Sequence, residues 1–325
     1  MKEQEKQIES TSIHKLNADR NLNWPLKLAY ICLNLANNAL PNWLVDPKLK
    51  LTNFSTKGGF NNLGERSTLS RKFSNLFWRE FDWKKLEQEL KTINIFDVGC
   101  GAGDITERLY TEYAENRINS YKGVDVFPYP GRWRVLSKKY KGLRFAKIKS
   151  EKRILKEIPK KTNLIISQSS LEHVNNDWLV FKQIKEFTQA SKHQVVQIHL
   201  VPSASCLWLY LFHGVRQYTP RTVSKITRLF SDSSCQLISF GGDRSFKLQW
   251  EAFTKPEIIN RFDLSRFGIT TGEWSGSNFN KIADKPKLIN KYNKLAKEAM
   301  KKDMKNKGSR AVFYALVIKS NANEK

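Results

Sequence analysis

The stretch Ile93-Asn94-Ile95-Phe96-Asp97-Val98-Gly99-Cys100-Gly101-Ala102-Gly103-Asp104 constrains this chain most: an apolar run leads straight into glycines at alternate positions, and helical patterning begins at Asp104. Such a turn lets the backbone reverse sharply and lets a ligand come closer than a Cβ would allow. The helix start that follows presents free N–H groups. Strand, glycine turn and helix in that order mark a nucleotide-type ligand site, a more specific signal than glycines alone.

The spacing then selects among ligands. A dinucleotide fingerprint runs G-x-G-x-x-G, so that the helix N-terminus meets a pyrophosphate. Here the glycines run G-x-G-x-G, with Asp97 two residues before the first. A carboxylate at that point repels a pyrophosphate and attracts an ammonium or sulfonium group. The pattern favours S-adenosylmethionine over NAD.

Two further segments follow in order: Tyr121-Lys122-Gly123-Val124-Asp125-Val126, a strand ending in an acid, and Asn163-Leu164-Ile165-Ile166-Ser167-Gln168-Ser169-Ser170-Leu171-Glu172-His173-Val174, a strand and the loop after it. With Asp97 to Gly103, these resemble the class I S-adenosylmethionine-dependent methyltransferases, in the type 11-like group that carries D-x-G-C-G-x-G and later L-E-H. The resemblance covers about residues 91 to 320. It implies a doubly wound, Rossmann-like α/β fold with a seven-stranded, mostly parallel sheet whose last strand is antiparallel. It also implies S-adenosylmethionine as cofactor, held by Asp97, Gly99, Cys100, Gly101, Gly103, Asp125, Val126, Ser150, Gln168 and Ser169, with Asp125 on the ribose hydroxyls. The chain departs from the family twice. Lys147-Ile148-Lys149-Ser150-Glu151 lacks the Asp that often meets the adenine amine, and Asn163 replaces the acid that commonly opens the fourth strand.

Composition fits an enzyme core with additions. A chain of 325 residues, 40% hydrophobic, supplies one large α/β core plus a smaller unit. Cys32, Cys100, Cys206 and Cys235 are scattered without CxxC spacing, which argues against a zinc site or a disulfide framework, and no other motif has metal-ligand spacing. The polar start Met1-Lys2-Glu3-Gln4-Glu5-Lys6 lacks the apolar run of a signal peptide, so the expected location is the cytoplasm, with peripheral contact at the inner membrane face as a further option. The 56 Lys and Arg against 31 Asp and Glu give a formal charge of +25. That field attracts polyanions, whether nucleic acid, an anionic membrane or a phosphorylated substrate, unless it merely spreads over solvated faces.

Residues 1–90 read as an N-terminal extension, disordered to about residue 20 and then helical. The segment Pro25 to Leu40 predicts a helix with Leu26, Tyr30, Leu33 and Ala36 on one face, docked on the core or lying at a membrane surface; Asn34, Asn37 and Asn38 argue against a membrane span. Thr52 to Asn62 reads as a Gly- and Asn-rich loop. Within 91–320, helices are predicted at 104–116, 131–139 and 176–190, strands at 194–201, 235–240 and 311–319, and a helix capped by Thr219-Pro220. Val195 to Val215 is apolar, but it contains His199, Pro202, Ser203, Ser205 and His213 and is already needed as a strand. An insert from about 241 to 310 carries Phe246, Trp250, Phe253, Phe262, Phe267, Trp274 and Phe279 and ends in a lysine-rich helix over 286–305.

Methyl transfer from sulfonium to oxygen is an in-line displacement, and an alcohol acceptor benefits from a nearby base. His173 is the first candidate base, with His199 and His213 next; alternatively Glu172 and His173 only organise their loop. For the acceptor, Arg71 can grip a phosphate, Trp78 can stack on a sugar, and Arg216 and Tyr218 can orient either group. The run Glu65 to Trp78 resembles a segment of bacterial methyltransferases associated with surface-polysaccharide biosynthesis. The expected activity is O-methylation of a sugar or lipid-linked glycan intermediate. An RNA or other nucleic-acid methyltransferase is the alternative, against which Ser167-Gln168-Ser169-Ser170 stands in place of an Asn/Asp-Pro-Pro-Tyr/Phe motif. A noncatalytic binding protein retaining the fold is the third.

Overall fold

The structure, a computed structural model, describes residues 10–40, 45–56, 58–61, 63–261, 263–268, 274, 284–305 and 310–322. Ile93–Val98 is buried at every position, as a strand covered on both faces must be. It is the second of eight strands: β1 (Leu49–Asn53), β2 (Ile93–Val98), β3 (Ile118–Asp125), β4 (Leu143–Lys147), β5 (Leu164–Gln168), β6 (Val195–Pro202), β7 (Ser234–Phe240) and β8 (Phe313–Ser320). They form one sheet in the order β1-β7-β8-β6-β5-β2-β3-β4. Every pairing is parallel except those of β8, which lies antiparallel between β6 and β7. This is the expected doubly wound, Rossmann-like sheet with one strand more. The order reverses beside β2, which pairs with both β3 and β5, so a ligand crevice lies at the carboxyl ends of these strands.

The additional strand, β1, comes from the N-terminal extension and pairs with β7 from Leu49↔Cys235 to Asn53↔Ser239. Only Leu49 of its residues is buried, so the sequence offers no alternating stripe, and the predicted loop beginning at Thr52 starts instead with the end of this strand. The helix Leu69–Glu80, also from the extension, buries Phe73, Leu76, Phe77 and Trp78 in the main core. The extension and the 91–320 region therefore share one sheet and one core.

Residues 10–20 correct the expectation of disorder. Thr11 donates through its backbone N–H (2.9 Å) and hydroxyl (2.5 Å) to Asp177; Asn17 Nδ2 donates to the His173 carbonyl (3.3 Å); and Ala18 N–H donates to the Gly214 carbonyl (2.8 Å). This strap is held by distant partners rather than by any local pattern. Residues 1–9 lie outside the described residues.

Among the other predicted elements, the helix after the glycine turn is α-helical only over Asp104–Arg108 and continues as a π-helical turn, Leu109–Tyr113. Thr219 caps Pro220–Thr227 through a reciprocal capping box with Thr222. Between β7 and β8 the insert forms helices Asp243–Gln249, Lys255–Arg261 and Pro286–Lys305, with Phe253, Trp274, Ile289 and Tyr292 packed into a separate small core. Asp303 closes it by accepting from the N–H groups of Arg244 (3.1 Å) and Ser245 (2.8 Å) at a helix start. Phe262, Phe279 and the Phe267 side chain lie outside the described residues. No helix among the described residues is long and apolar enough to cross a membrane.

Candidate active site

The glycine turn is shaped by opposite demands at two of its positions. Gly99 (φ +78°) has no room for a side chain, since a Cβ would come within 2.4 Å of the Ser170 Cβ. Gly101 (φ +55°) faces open space, with nothing within 4 Å of where its Cβ would be. The first glycine seats the turn against the loop after β5, and the second leaves open space beside the turn. Trp133 fixes the turn by donating to the Gly101 carbonyl (2.9 Å) while stacking on Phe145 at 5.3 Å.

Asp125 ends β3 beside this turn. Its two carboxylate oxygens accept from the N–H groups of Gly101 (2.8 Å) and Phe127 (2.9 Å), which fixes the carboxylate plane. Val126 and Phe127 follow with 42% and 72% of their surface exposed, an apolar shelf next to an acid. Ser150 is half-buried just past β4, whose Lys147 pairs with Asp125. The Cys100 thiol is buried, and burial pushes its pKa up, so it fills the turn rather than serving as a nucleophile.

Below the turn, at the carboxyl ends of β2 and β5, three buried polar atoms lack a hydrogen-bond partner among the described residues: Asp97 Oδ1, Gln168 Nε2 and Glu172 Oε2. Leaving a buried polar group unpaired costs about 1–3 kcal/mol, so each of these atoms is available to a polar partner, ligand or water. The other Asp97 oxygen accepts from the Tyr121 hydroxyl, and burial raises the Asp97 pKa to about 7. Gln168 is oriented by Trp78, whose Nε1 donates to its Oε1 at 2.8 Å. Ser169, half-buried, holds a left-handed backbone (φ +48°) and donates its N–H to the Leu200 carbonyl (2.9 Å).

The L-E-H turn carries the titratable cluster. His173 Nδ1 lies 2.6 Å from Asp19 Oδ2, and the other Asp19 oxygen accepts from the Gly214 N–H at 3.0 Å. The His213 ring meets the His173 ring edge-on at 4.6 Å. Burial alone would depress His173, but the hydrogen bond and charge of Asp19, together with Glu172, outweigh it and raise the pKa above 6.5. Burial would likewise raise Asp19, but the hydrogen bonds from His173 and Gly214 hold it below its ordinary value. His213 is pushed down to about 4, by burial first and then by the charge of His173. Glu172, fully buried, is raised by burial to about 7. The arrangement is a histidine held by a carboxylate, beside a neutral histidine. Arg71 is exposed nearby, close enough to Asp104, Glu172 and Tyr210 to interact with them electrostatically.

Of the predicted catalytic histidines, the structure brings His173 and His213 together and excludes His199. That side chain is fully buried in β6, bonded through Nδ1 to Ser167 Oγ (2.8 Å) and packed on Phe181, and burial drives its pKa to about 3. It is a neutral core residue. Three predicted acceptor residues are corrected for the same reason. Trp78 has no exposed surface, stacks on Trp83 in the main core and donates to Gln168, so it cannot meet a sugar. Arg216, 1% exposed, spends its guanidinium on the carbonyls of Leu171, Val174 and Asn175 and pairs with Asp177 at 3.6 Å. Tyr218 is buried and donates to Asp177 at 3.0 Å. The last two brace the L-E-H turn from behind. Asp19 escapes sequence reasoning altogether, because it sits in a polar run without periodicity and acquires its role from a residue 154 positions away.

No family model matches the chain, and no curated protein matches it. Among solved structures, it is similar to the trans-methyltransferase CalH in complex with S-adenosylhomocysteine (13% identity, 37% of this chain and 35% of that one, TM-score 0.31). It is also similar to phosphoethanolamine N-methyltransferase 2 of Haemonchus contortus with S-adenosylmethionine (12%, 73% and 50%, TM-score 0.40). A third is coclaurine N-methyltransferase bound to N-methylheliamine and S-adenosylhomocysteine (11%, 92% and 89%, TM-score 0.39). The match spans about a third of the first of these proteins and half of the second.

Proposed function

We propose that this protein is an S-adenosylmethionine-dependent O-methyltransferase whose acceptor is a hydroxyl of a sugar or lipid-linked glycan intermediate. The observation that carries the reading is that the carboxyl ends of β2, β3 and β5 bring to one end of the sheet the open position at Gly101, the preoriented Asp125 carboxylate and the Asp19–His173 pair, with His173 close enough to feel the charge of Asp125. The residues fit the cofactor. Asp125 offers a carboxylate for ribose hydroxyls, Val126 and Phe127 offer an apolar face for a base, and Asp97 and Gln168 offer a buried acceptor and donor for the amino-acid end. When bound, the cofactor supplies a methyl group made electrophilic by its sulfonium.

The chain's own residues then handle the acceptor. With Nδ1–H donated to Asp19, His173 is left with Nε2, 4.0 Å from Glu172 Oε1, to take the hydroxyl proton as the acceptor oxygen attacks. With the cofactor in place its methyl group would pass to the acceptor oxygen as the bond to sulfur breaks, leaving a thioether, and His173 would hold the hydroxyl proton as imidazolium facing the Asp19 carboxylate. General-base assistance of this kind is worth about 10²–10⁴-fold. Arg71 and the formal charge of +25 favour an acceptor that carries phosphate.

The test is transfer of labelled methyl from S-adenosylmethionine to lipid-extracted glycan intermediates and, in parallel, to RNA. Label in the glycan fraction that survives ribonuclease is the expected result. Label confined to RNA would overturn the acceptor class, and no transfer to either would overturn the reading.

A further inference from the structure

The helix Trp24–Ala39 is mounted with its polar side inward. Its buried residues are Tyr30, Asn34 and Asn37. Tyr30 donates its hydroxyl to the His213 carbonyl (2.9 Å), Asn34 Nδ2 donates to the Val215 carbonyl (3.4 Å), Arg221 donates to the Asn37 carbonyl and side chain (2.9 and 3.0 Å), and Asn38 donates to Gln217 (3.3 Å). The opposite side is apolar and faces solvent. Trp24 is 52% exposed, Leu28 59% and Leu35 37%, with Cys32 exposed between them. At spacings of four, four and three residues these form one helical stripe. Of Leu26, Tyr30, Leu33 and Ala36, which the periodicity groups on one face, only Tyr30 is buried.

A surface helix of a globular protein turns its apolar stripe to the core. This one, with Lys27 as its single charged residue, does the reverse. A contiguous exposed apolar face marks a contact surface. A tryptophan at one end of a leucine stripe, on a body of formal charge +25, is the chemistry of a helix lying in the headgroup region of an anionic bilayer. We propose that this face docks the protein on an anionic phospholipid membrane, with Trp24, Leu28, Cys32 and Leu35 entering the headgroup boundary. Through Tyr30 and the His213 carbonyl the docked helix is bonded directly to the segment that holds the catalytic cluster, so the crevice is held near the lipid surface from which a lipid-linked acceptor would be presented.

Cys32 provides the probe, because it is exposed while Cys100, Cys206 and Cys235 are buried. The full chain, labelled at Cys32 with an environment-sensitive fluorophore, is titrated with vesicles of phosphatidylcholine alone and of phosphatidylcholine with phosphatidylglycerol. A saturable blue shift is expected with the anionic vesicles, about tenfold or more weaker with the neutral ones and weakened by salt. Flotation of a Leu28→Asp, Leu35→Asp double variant that keeps the wild-type thermal midpoint is expected to show loss of binding. An absent shift with anionic vesicles would overturn the proposal, as would unchanged flotation of the variant. A shift that follows protein concentration instead of lipid would also overturn it and assign the face to a second copy. Since no cofactor is present in these experiments, their failure leaves the methyl-transfer reading intact, and the reverse also holds.

Discussion

At the scale of single residues, Asp97 shows how the site departs from what stability alone would select. Burial lifts its pKa from 3.8 to about 7, so the folded protein holds this proton more tightly than the unfolded chain. Stability on this account falls as pH rises from the unfolded pKa towards 7, and the full cost is present above it. Asp97→Asn, which removes the ionisation but keeps an acceptor for Tyr121, is therefore expected to raise stability by up to about 4 kcal/mol near pH 8 and to give no gain near pH 4. Thermal midpoints across pH check this, and an equal offset at both ends would contradict it. His173 has the opposite dependence: Asp19 raises its pKa, so a base at this position gains activity as pH rises through a value above 6.5. Asp19→Asn should move the acidic limb of the pH–rate profile to lower pH, and His173→Gln should abolish that limb. A limb unmoved by Asp19→Asn would remove His173 from the base role. The glycine turn and Asp125 are legible in sequence because their logic is local, a spacing of a few residues. Asp19 and the burial of Trp78, Arg216 and Tyr218 are settled only by packing.

At the scale of elements, the buried Arg216–Asp177 pair joins three pieces: the strap at Thr11, the first residue of the helix Asp177–Ala190 and the carbonyls of the L-E-H turn. Removing one partner of a buried pair leaves an uncompensated charge and typically costs about 3–5 kcal/mol. Arg216→Met is expected to lower the unfolding free energy by that amount in urea titrations and to expose the strap to proteolysis; a loss below about 1 kcal/mol would show that the turn is braced elsewhere. Strands β2, β5 and β6 are visible in sequence as apolar runs. β1 is not, since as an edge strand it buries one residue. Helix Trp24–Ala39 is legible as a helix but not in its orientation, because periodicity groups residues into faces without saying which face meets the protein. Asn163, a departure from the family pattern, has a structural use: its Oδ1 accepts from the Asn94 N–H (2.8 Å) and its amide donates to the Thr92 carbonyl (2.7 Å), stitching the start of β5 to β2. An aspartate lacks that second donor.

At the scale of the whole molecule, the sheet gathers at one edge what the sequence scatters. The carboxyl ends of β2, β3 and β5 bring the glycine turn, Asp125 and the L-E-H turn together, and the strap and the 213–216 segment complete the cluster from elsewhere in the chain. The formal charge of +25 acts at this scale too, drawing anionic partners to the body without selecting among them. The claim on which the rest depends is that the open space beside Gly101 and Asp125 binds the cofactor, and calorimetric titration of the full chain with S-adenosylhomocysteine tests it most directly. Saturable binding by the wild type, weakened about tenfold or more in an Asp125→Ala variant that retains its fold, is the result predicted from loss of charge-assisted hydrogen bonds. Absence of binding to the folded wild type, or binding that Asp125→Ala leaves unchanged, would contradict the account.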